Sequence, residues 1–423
     1  MVFAHRPLEQ DEAGPGAWRV IGPDAPAPLR GMVARGLAPL PPRDLLVALY
    51  QIWVSNDPDL APVSAKTIEG LPMQILGGAL DDVTLPGAVL DLLGRRLPRN
   101  AEVLERVVRH RRVDDETLSS IARVCPETVC DVISDNQERW LRHPKIVEAL
   151  YQNPHCRMSV IHRMLELAVR ENVDVRLPNM DEIRQALLEG STVDESRDAV
   201  FKQVTGGAVA QHHEKTIDRL RDAAAHEELD LDRVIEDSAG EADLDRLLAQ
   251  AASDDLMLPL EAEGEAEAAP AAADKAQLAA AAAAAAATGD GRFVMMSKLK
   301  PMEKIRLALL GTTYDRFVLI RDSNKAVSMS AIKSPKVNDQ EVIAYAANRT
   351  LARDIIGYIS KRREWTKLYQ VTMNLTLNPK TPMASAMGFL TRLYPHDVKK
   401  VAFSKNIPSA LATAARRKLE QRK

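Results

Sequence analysis

Aromatic residues are scarce in this chain, 4% of 423 positions, so its cores must be built from Ala, Leu, Val, Ile and Met. That composition disfavours an aromatic-rich β-sandwich and favours stacked small helices. Cysteine is equally rare. Cys125, Cys130 and Cys156 are an odd number without CxxC spacing, which gives no reason to expect a disulfide framework and fits reduced thiols in a cytoplasm. No apolar run approaches the ~18 residues of a membrane span. The start, MVFAHRPLEQDEAG, lacks the basic-then-apolar order of a signal peptide, so a cytoplasmic location is expected.

Catalytic and cofactor motifs are missing too. TGGAV and LGGAL carry neither a full GxGxxG layout nor a following GK[ST], and read as turns or close helix contacts rather than phosphate cradles. No Ser/His/Asp or paired-carboxylate arrangement stands out, so the chain is expected not to be an enzyme and to need no cofactor. His155, Cys156 and His162 lack a zinc spacing, as do His212 and His213, and no metal is assigned.

Charge is present in abundance and unevenly placed. Lys+Arg against Asp+Glu runs 21 to 24 over residues 1–178, 10 to 26 over 179–292 and 25 to 9 over 293–423, giving −3, −16 and +16. Opposite charge of that size in adjoining segments favours salt-dependent association between them or with outside partners.

Residues 1–40, rich in Pro and Gly, are expected to form a loosely ordered arm. Helical patterning starts at Asp44 with DLLVALYQIWV. A repeat becomes explicit where VLERVVRH (103–110), VCDVISDN (129–136) and IVEALYQN (146–153) superpose without gaps, each ending in His or Asn. Pro126 and Pro144 mark helix starts, and Asp114 is placed to cap the helix carrying Leu118 and Ile121. RMSVIHRMLELAVR then supplies a longer amphipathic helix that closes an N-terminal array near Pro178.

Residues 179–292 read as an acidic linker with transient helices, such as TIDRLRDAAA and DLDRLLAQAA. An alanine-rich helical spacer over 274–287 follows, with Gly289 as its stop. The ending pattern returns in FVLIRDSN, EVIAYAAN, VTMNLTLN and KKVAFSKN, whose asparagines Asn324, Asn348, Asn378 and Asn406 lie 24, 30 and 28 residues apart. Within Ser334–Trp365, Asn338 is expected to cap a helix with Glu341 as its capping-box partner, and Asn348 to end that helix in a left-handed turn. Leu351, Ile355 and Ile359 share one face of the next helix. Thr381 and Pro382 are read as N-cap and first-turn proline of a helix with Met383, Met387, Phe389 and Leu390 inward, and Pro408 opens the last helix. Helices of about ten residues are marginal alone and hold when stacked, so the fold class is all-α: two α-solenoid arrays, 41–178 and 293–423, joined by the linker.

These short paired helices resemble HEAT-like and leucine-rich-repeat-variant proteins over roughly 250 residues. LIRDSNKAV, KRREW, LNPKTPMASAM, SKNIPSALATAARR and NQERWLRHPKIVEALYQNP are similar to a bacterial HEAT-like family known only as functionally uncharacterised. The resemblance implies an α-solenoid and transfers no catalytic residue. Because some HEAT-like proteins are DNA glycosylases with a basic surface, Trp365 beside Lys361, Arg362 and Arg363 keeps base chemistry in view.

The candidate binding residues are basic clusters at helix ends and in the tail: Lys361, Arg362, Arg363, Trp365 and Lys367; Lys399, Lys400 and Lys405; Arg416, Arg417 and Lys418. In a stacked array such positions line up as a rim for phosphates or acidic peptide. The competing reading is that they complement helix C-terminal dipoles and stay solvated. The expected function is a non-enzymatic scaffold that binds partner proteins, with the acidic linker covering the basic array; the alternative is sequence-nonspecific nucleic-acid binding.

Overall fold

A computed structural model describes residues 4–23, 25–190, 192–206, 208–223, 289–404 and 406–420. Among these, all regular structure is helical and no strand occurs. The chain divides into two compact units, Met1–Leu177 with Thr192–Ile235, and Pro178–Ser191 with Glu236–Lys423.

The first unit opens with α1 (Gln10–Ala13), α2 (Pro15–Ile21) and α3 (Ala27–Ala34). These residues, expected as a loose arm, are ordered. Prolines stand in the first turns of α2 and α3, where no helical amide is lost. Val20, Val33, Ala34 and Ala38 pack on Ala48 and Ile52 of α4 (Pro42–Val54). Arg43 donates to the carbonyls of Ala13 at 2.9 Å and Glu12 at 3.2 Å, closing the end of α1.

Two helix layers follow. One contains α6 (Met73–Leu80), α8 (Ala101–Arg109), α10 (Glu127–Asp135) and α13 (Met158–Arg170), each beside the next. The other contains α5 (Ala61–Glu69), α7 (Gly87–Arg96), α9 (Asp115–Val124) and α12 (Lys145–Gln152), with the short α11 (Gln137–Arg142) before it. Asp114 occupies the N-cap position of α9 without a side-chain cap bond, contrary to expectation. Its carboxylate instead lies where a Cβ on Gly87 would be 2.8 Å away.

The acidic segment does not begin as a tether. Helix α14 (Met180–Leu188) belongs to the second unit, where Met180, Ile183 and Ala186 are buried and Glu182 pairs with Lys333 at 2.7 Å. Helices α15 (Asp198–Thr205) and α16 (Ala208–Asp222) belong to the first. Asp198 accepts from the Ser159 amide and hydroxyl at 2.8 and 2.6 Å, tying α15 to the first turn of α13. The apolar stripes of these pieces are wide enough to dock despite the acidic composition. The expected alanine spacer, 274–287, lies outside the described residues; Gly289, expected as its stop, is itself part of the helix Gly289–Ser297.

The second unit continues with α17 (Gly289–Ser297), α18 (Pro301–Leu310), α19 (Thr313–Leu319), α20 (Lys325–Lys333), α21 (Asp339–Ala347), α22 (Arg353–Lys361), α23 (Arg363–Thr366), α24 (Tyr369–Leu377), α25 (Met383–Arg392), α26 (Pro395–Phe403) and α27 (Ser409–Glu420). Helices α21, α24 and α26 adjoin in one layer; α20 adjoins α22, and α25 adjoins α27, in the other. Ile355, Ile356 and Ile359 are fully buried and Leu351 nearly so. In α25 the inward face is Ala386, Phe389 and Leu390, continued by Leu393, whereas Met383 and Met387 are each 39% exposed. The i, i+3, i+4, i+7 set starting at Ala386 is the inward one, so the two methionines expected inside fall on the other face. Pro382 is itself the N-cap, and the Thr381 hydroxyl donates back to Leu375 O.

Repeat-ending residues do something other than turn the chain left-handed. Asn348 is extended, with φ −75° and ψ 116°. Asn378 donates its side-chain amide to Ala346 O and Asn348 O at 3.0 Å each and accepts from Lys380 N. Asn153 does the same to Ala122 O and Cys125 O at 2.9 Å, and accepts from His155 N. His110 bonds Asp82 O through Nε2 at 3.2 Å and accepts from Arg112 N at Nδ1, which assigns the ring proton to Nε2. Each clamp satisfies carbonyls at a preceding helix end that have no intrahelical donor, while fixing the amide two residues ahead. Asn136 and Asn324 instead cap the following helices.

Candidate binding surface

In α22 the isoleucines face inward, leaving Arg353, Tyr358 and Lys361 toward the outer side. Arg362 ends the helix in an extended conformation, holds its guanidinium 5.0 Å from the Tyr358 ring centre and donates to the Tyr358 hydroxyl at 3.0 Å. Trp365 is half-buried and meets Tyr358 edge-on at 6.0 Å. Where α24 begins, the Tyr369 hydroxyl donates to Asp397 and its ring lies 4.6 Å from that of Tyr394. Tyr394, 59% exposed, stacks on His396 at 6.0 Å with only 8° between planes.

Chain direction places these groups on one edge. The Tyr369–Asp397 bond sets the starts of α24 and α26 side by side. Lys418, near the end of α27, donates to Leu390 O and Thr391 O in the last turn of α25. Thus α22 ends, α24 begins, α25 ends, α26 begins and α27 ends along a common border that gathers Lys361, Arg362, Arg363, Trp365, Lys367 and Lys418.

The remaining basic residues divide. Lys400 pairs with Asp397 at 2.9 Å, beside His396 at 3.0 Å from the same carboxylate. Arg416 reaches Ala402 O at 3.2 Å, near the opposite end of α26, so it and Lys418 do serve helix C-termini. Lys361, Arg363, Lys367, Lys399 and Arg417 are exposed, with no acidic partner among the described residues. Lys405 lies outside the described residues. Sequence reasoning missed Tyr358, Tyr369, Tyr394 and His396. Their signal was an aromatic ring beside basic residues in KRREWTKLY and RLYPH, in a chain otherwise poor in aromatics.

Polar groups inside the units are engaged structurally. Asp91 accepts from Arg95 Nε and Thr117 Oγ1, each at 2.8 Å, and meets His5 Nε2 at 3.0 Å. Burial opposes its ionisation, but His5, Arg95 and Thr117 outweigh that and hold its pKa below the usual value. Glu341, expected to complete a capping box, has its amide bound by Asn338 at 2.8 Å while its carboxylate turns inward. There it takes Arg316 at 2.6 and 3.0 Å and the Tyr345 hydroxyl at 3.0 Å, because a fully buried guanidinium needs an acceptor more than the half-buried Asn338 amide does. Burial lowers the Lys336 pKa to about 7, with Arg316 adding to the effect; its amine donates to Leu310 O. Cys125 and Cys130 are buried free thiols with sulfurs 3.4 Å apart. His155 and His213 are brought together edge-on at 4.9 Å, but no metal-ligating group of three or more residues occurs among the described residues. No described helix is long and apolar enough to cross a membrane.

No family model, curated protein or solved structure matches this chain.

Proposed function

We propose that the chain is a non-enzymatic adaptor of HEAT-like helical units whose second unit captures an acidic macromolecular segment along the α22–α27 edge. The observation that supports this reading is the alternation there of accessible rings, Tyr358, Trp365 and Tyr394, with cations that have no acidic partner among the described residues, Lys361, Arg363 and Lys367. Rings supply contact area at low entropic cost, and unpaired cations supply long-range attraction. Residues 293–423, which contain this edge, carry an excess of the same sign, +16.

An acidic peptide matching residues 254–268 is the first ligand to test, titrated against the full-length chain across a salt series. Binding that weakens with salt and is lost in the Lys361→Glu, Arg363→Glu, Lys367→Glu chain is expected. A second reading, nucleic-acid binding without sequence selection, is favoured by the Tyr369–Tyr394–His396 ladder, because a nucleobase stacked on an aromatic ring gains about 1–3 kcal/mol. Single-stranded and duplex probes run beside the peptide separate the two. No binding of any probe at low salt refutes both.

A further inference from the structure

The turn from α9 into α10 carries two of the three free cysteines, Cys125 and Cys130. Cys125 ends α9 in an extended conformation, with φ −68° and ψ 155°, and Pro126 then stands as the N-cap of α10. Cys130, in the opening turn of α10, donates its amide to Pro126 O at 3.1 Å. This path folds the chain back so that residues five apart bring their sulfurs to 3.4 Å, one thiol donating to the other. Both side chains are fully buried.

A third group faces the pair. Asn153, whose side-chain amide clamps the carbonyls of Ala122 and Cys125, holds the same nitrogen 3.5 Å from Cys130 Sγ and 3.7 Å from Cys125 Sγ. Cys130 also lies at the positive end of the α10 dipole, which favours negative charge gathering on its sulfur. Sulfurs already in contact need little movement to bond. Because α9 and α10 belong to different layers of the first unit, a bond between these sulfurs links the two layers covalently.

We propose that Cys125 and Cys130 are a redox-active dithiol that hydrogen peroxide closes to a disulfide, stapling α9 to α10. Full burial selects an oxidant little larger than water over a bulky disulfide. The Cys130 sulfur gives up its proton and attacks one peroxide oxygen; the O–O bond breaks, Cys130 becomes a sulfenic acid, and the departing hydroxide takes the proton to leave as water. The Cys125 sulfur then attacks Cys130 Sγ. The S–O bond breaks, the hydroxyl leaves with the Cys125 proton as a second water, and the disulfide remains. Two electrons pass from the sulfurs to the peroxide. This inference concerns the first unit alone and does not depend on the basic edge of the second.

The test is a peroxide titration of the reduced full-length chain under native conditions. Free thiols should fall from three to one per chain, with Cys156 still reduced. The tryptic peptide 124–139, which contains both Cys125 and Cys130, should become lighter by two hydrogens. A thiol reductant should restore all three thiols, and hydrogen exchange across residues 115–135 should be slower in the oxidised chain than in the reduced one. Thiols untouched by peroxide overturn the proposal, as do bonds to Cys156 in equal yield, oxidation that the reductant does not reverse, or unchanged exchange. In a Cys125→Ser chain, where the link cannot form, a cyclic diketone should trap the sulfenic acid at Cys130, and absence of that adduct overturns the mechanism. Should that variant not fold, the mass of the wild-type peptide decides.

Discussion

Replacing Asn378 with Ala is the sharpest test of how adjoining helix ends are held. The side chain is 3% exposed and makes three hydrogen bonds: two donated to Ala346 O and Asn348 O and one accepted from Lys380 N, all at 3.0 Å. At about 1 kcal/mol per bond the loss is about 3 kcal/mol, and buried carbonyls left without a donor add to it. Asn348→Ala is the control. That side chain is half-buried and accepts from Thr350 N and Oγ1, at 2.8 and 2.7 Å; both bonds are exposed, so water replaces them in part and the two together should cost about 1 kcal/mol. Because a chain of two units need not unfold in one step, the assay is native-state hydrogen exchange read on peptides from α21 to α25. Equal effects of the two substitutions, or a cost for Asn378→Ala below about 1 kcal/mol, would refute the clamp. Asn153→Ala should repeat the larger effect in the first unit.

Removing one partner of the buried Arg316–Glu341 pair should be severe: Glu341→Gln strands the guanidinium and is expected to cost about 3–5 kcal/mol, whereas replacing both with apolar residues should cost much less, as read from chemical denaturation. Lys336, with Arg316 and Asp315 as its charged neighbours, has a folded pKa near 7 against 10.5 for a free lysine. Between those values the unfolded state holds more protons, so this residue makes stability rise with pH through that window and imposes its full penalty below it. Lys336→Met should flatten that part of the stability profile and raise stability at pH 6, and an unchanged profile would refute the assignment. Salt titration of the Tyr394→Ala chain should weaken nucleic-acid binding without altering its salt slope, because a ring contributes no counterion release.

Periodicity alone established the all-helical class, because apolar residues three and four apart serve a buried face only in a helix. It also marked His110, Asn153 and Asn378 as segment ends, but with them Asn136, Asn324 and Asn348, which do not clamp a preceding helix. The clamp's mechanism was not legible there. Asparagine is suited to a left-handed turn, and only the neighbouring helix, with carbonyls lacking donors, made an extended asparagine with a reaching side chain the better solution. Composition likewise marked residues 179–222 as acidic, but whether an acidic helix stays in water depends on what meets its apolar stripe. Val124, Arg99 and Lys333 supply that surface from distant parts of the sequence. The basic clusters could be counted from the sequence, while tertiary structure separated Lys400, Arg416 and Lys418, which have acceptors within the fold, from Lys361, Arg363 and Lys367, which face outward. Local patterns fix which face of a helix is apolar; the partner across the interface decides which charges are satisfied.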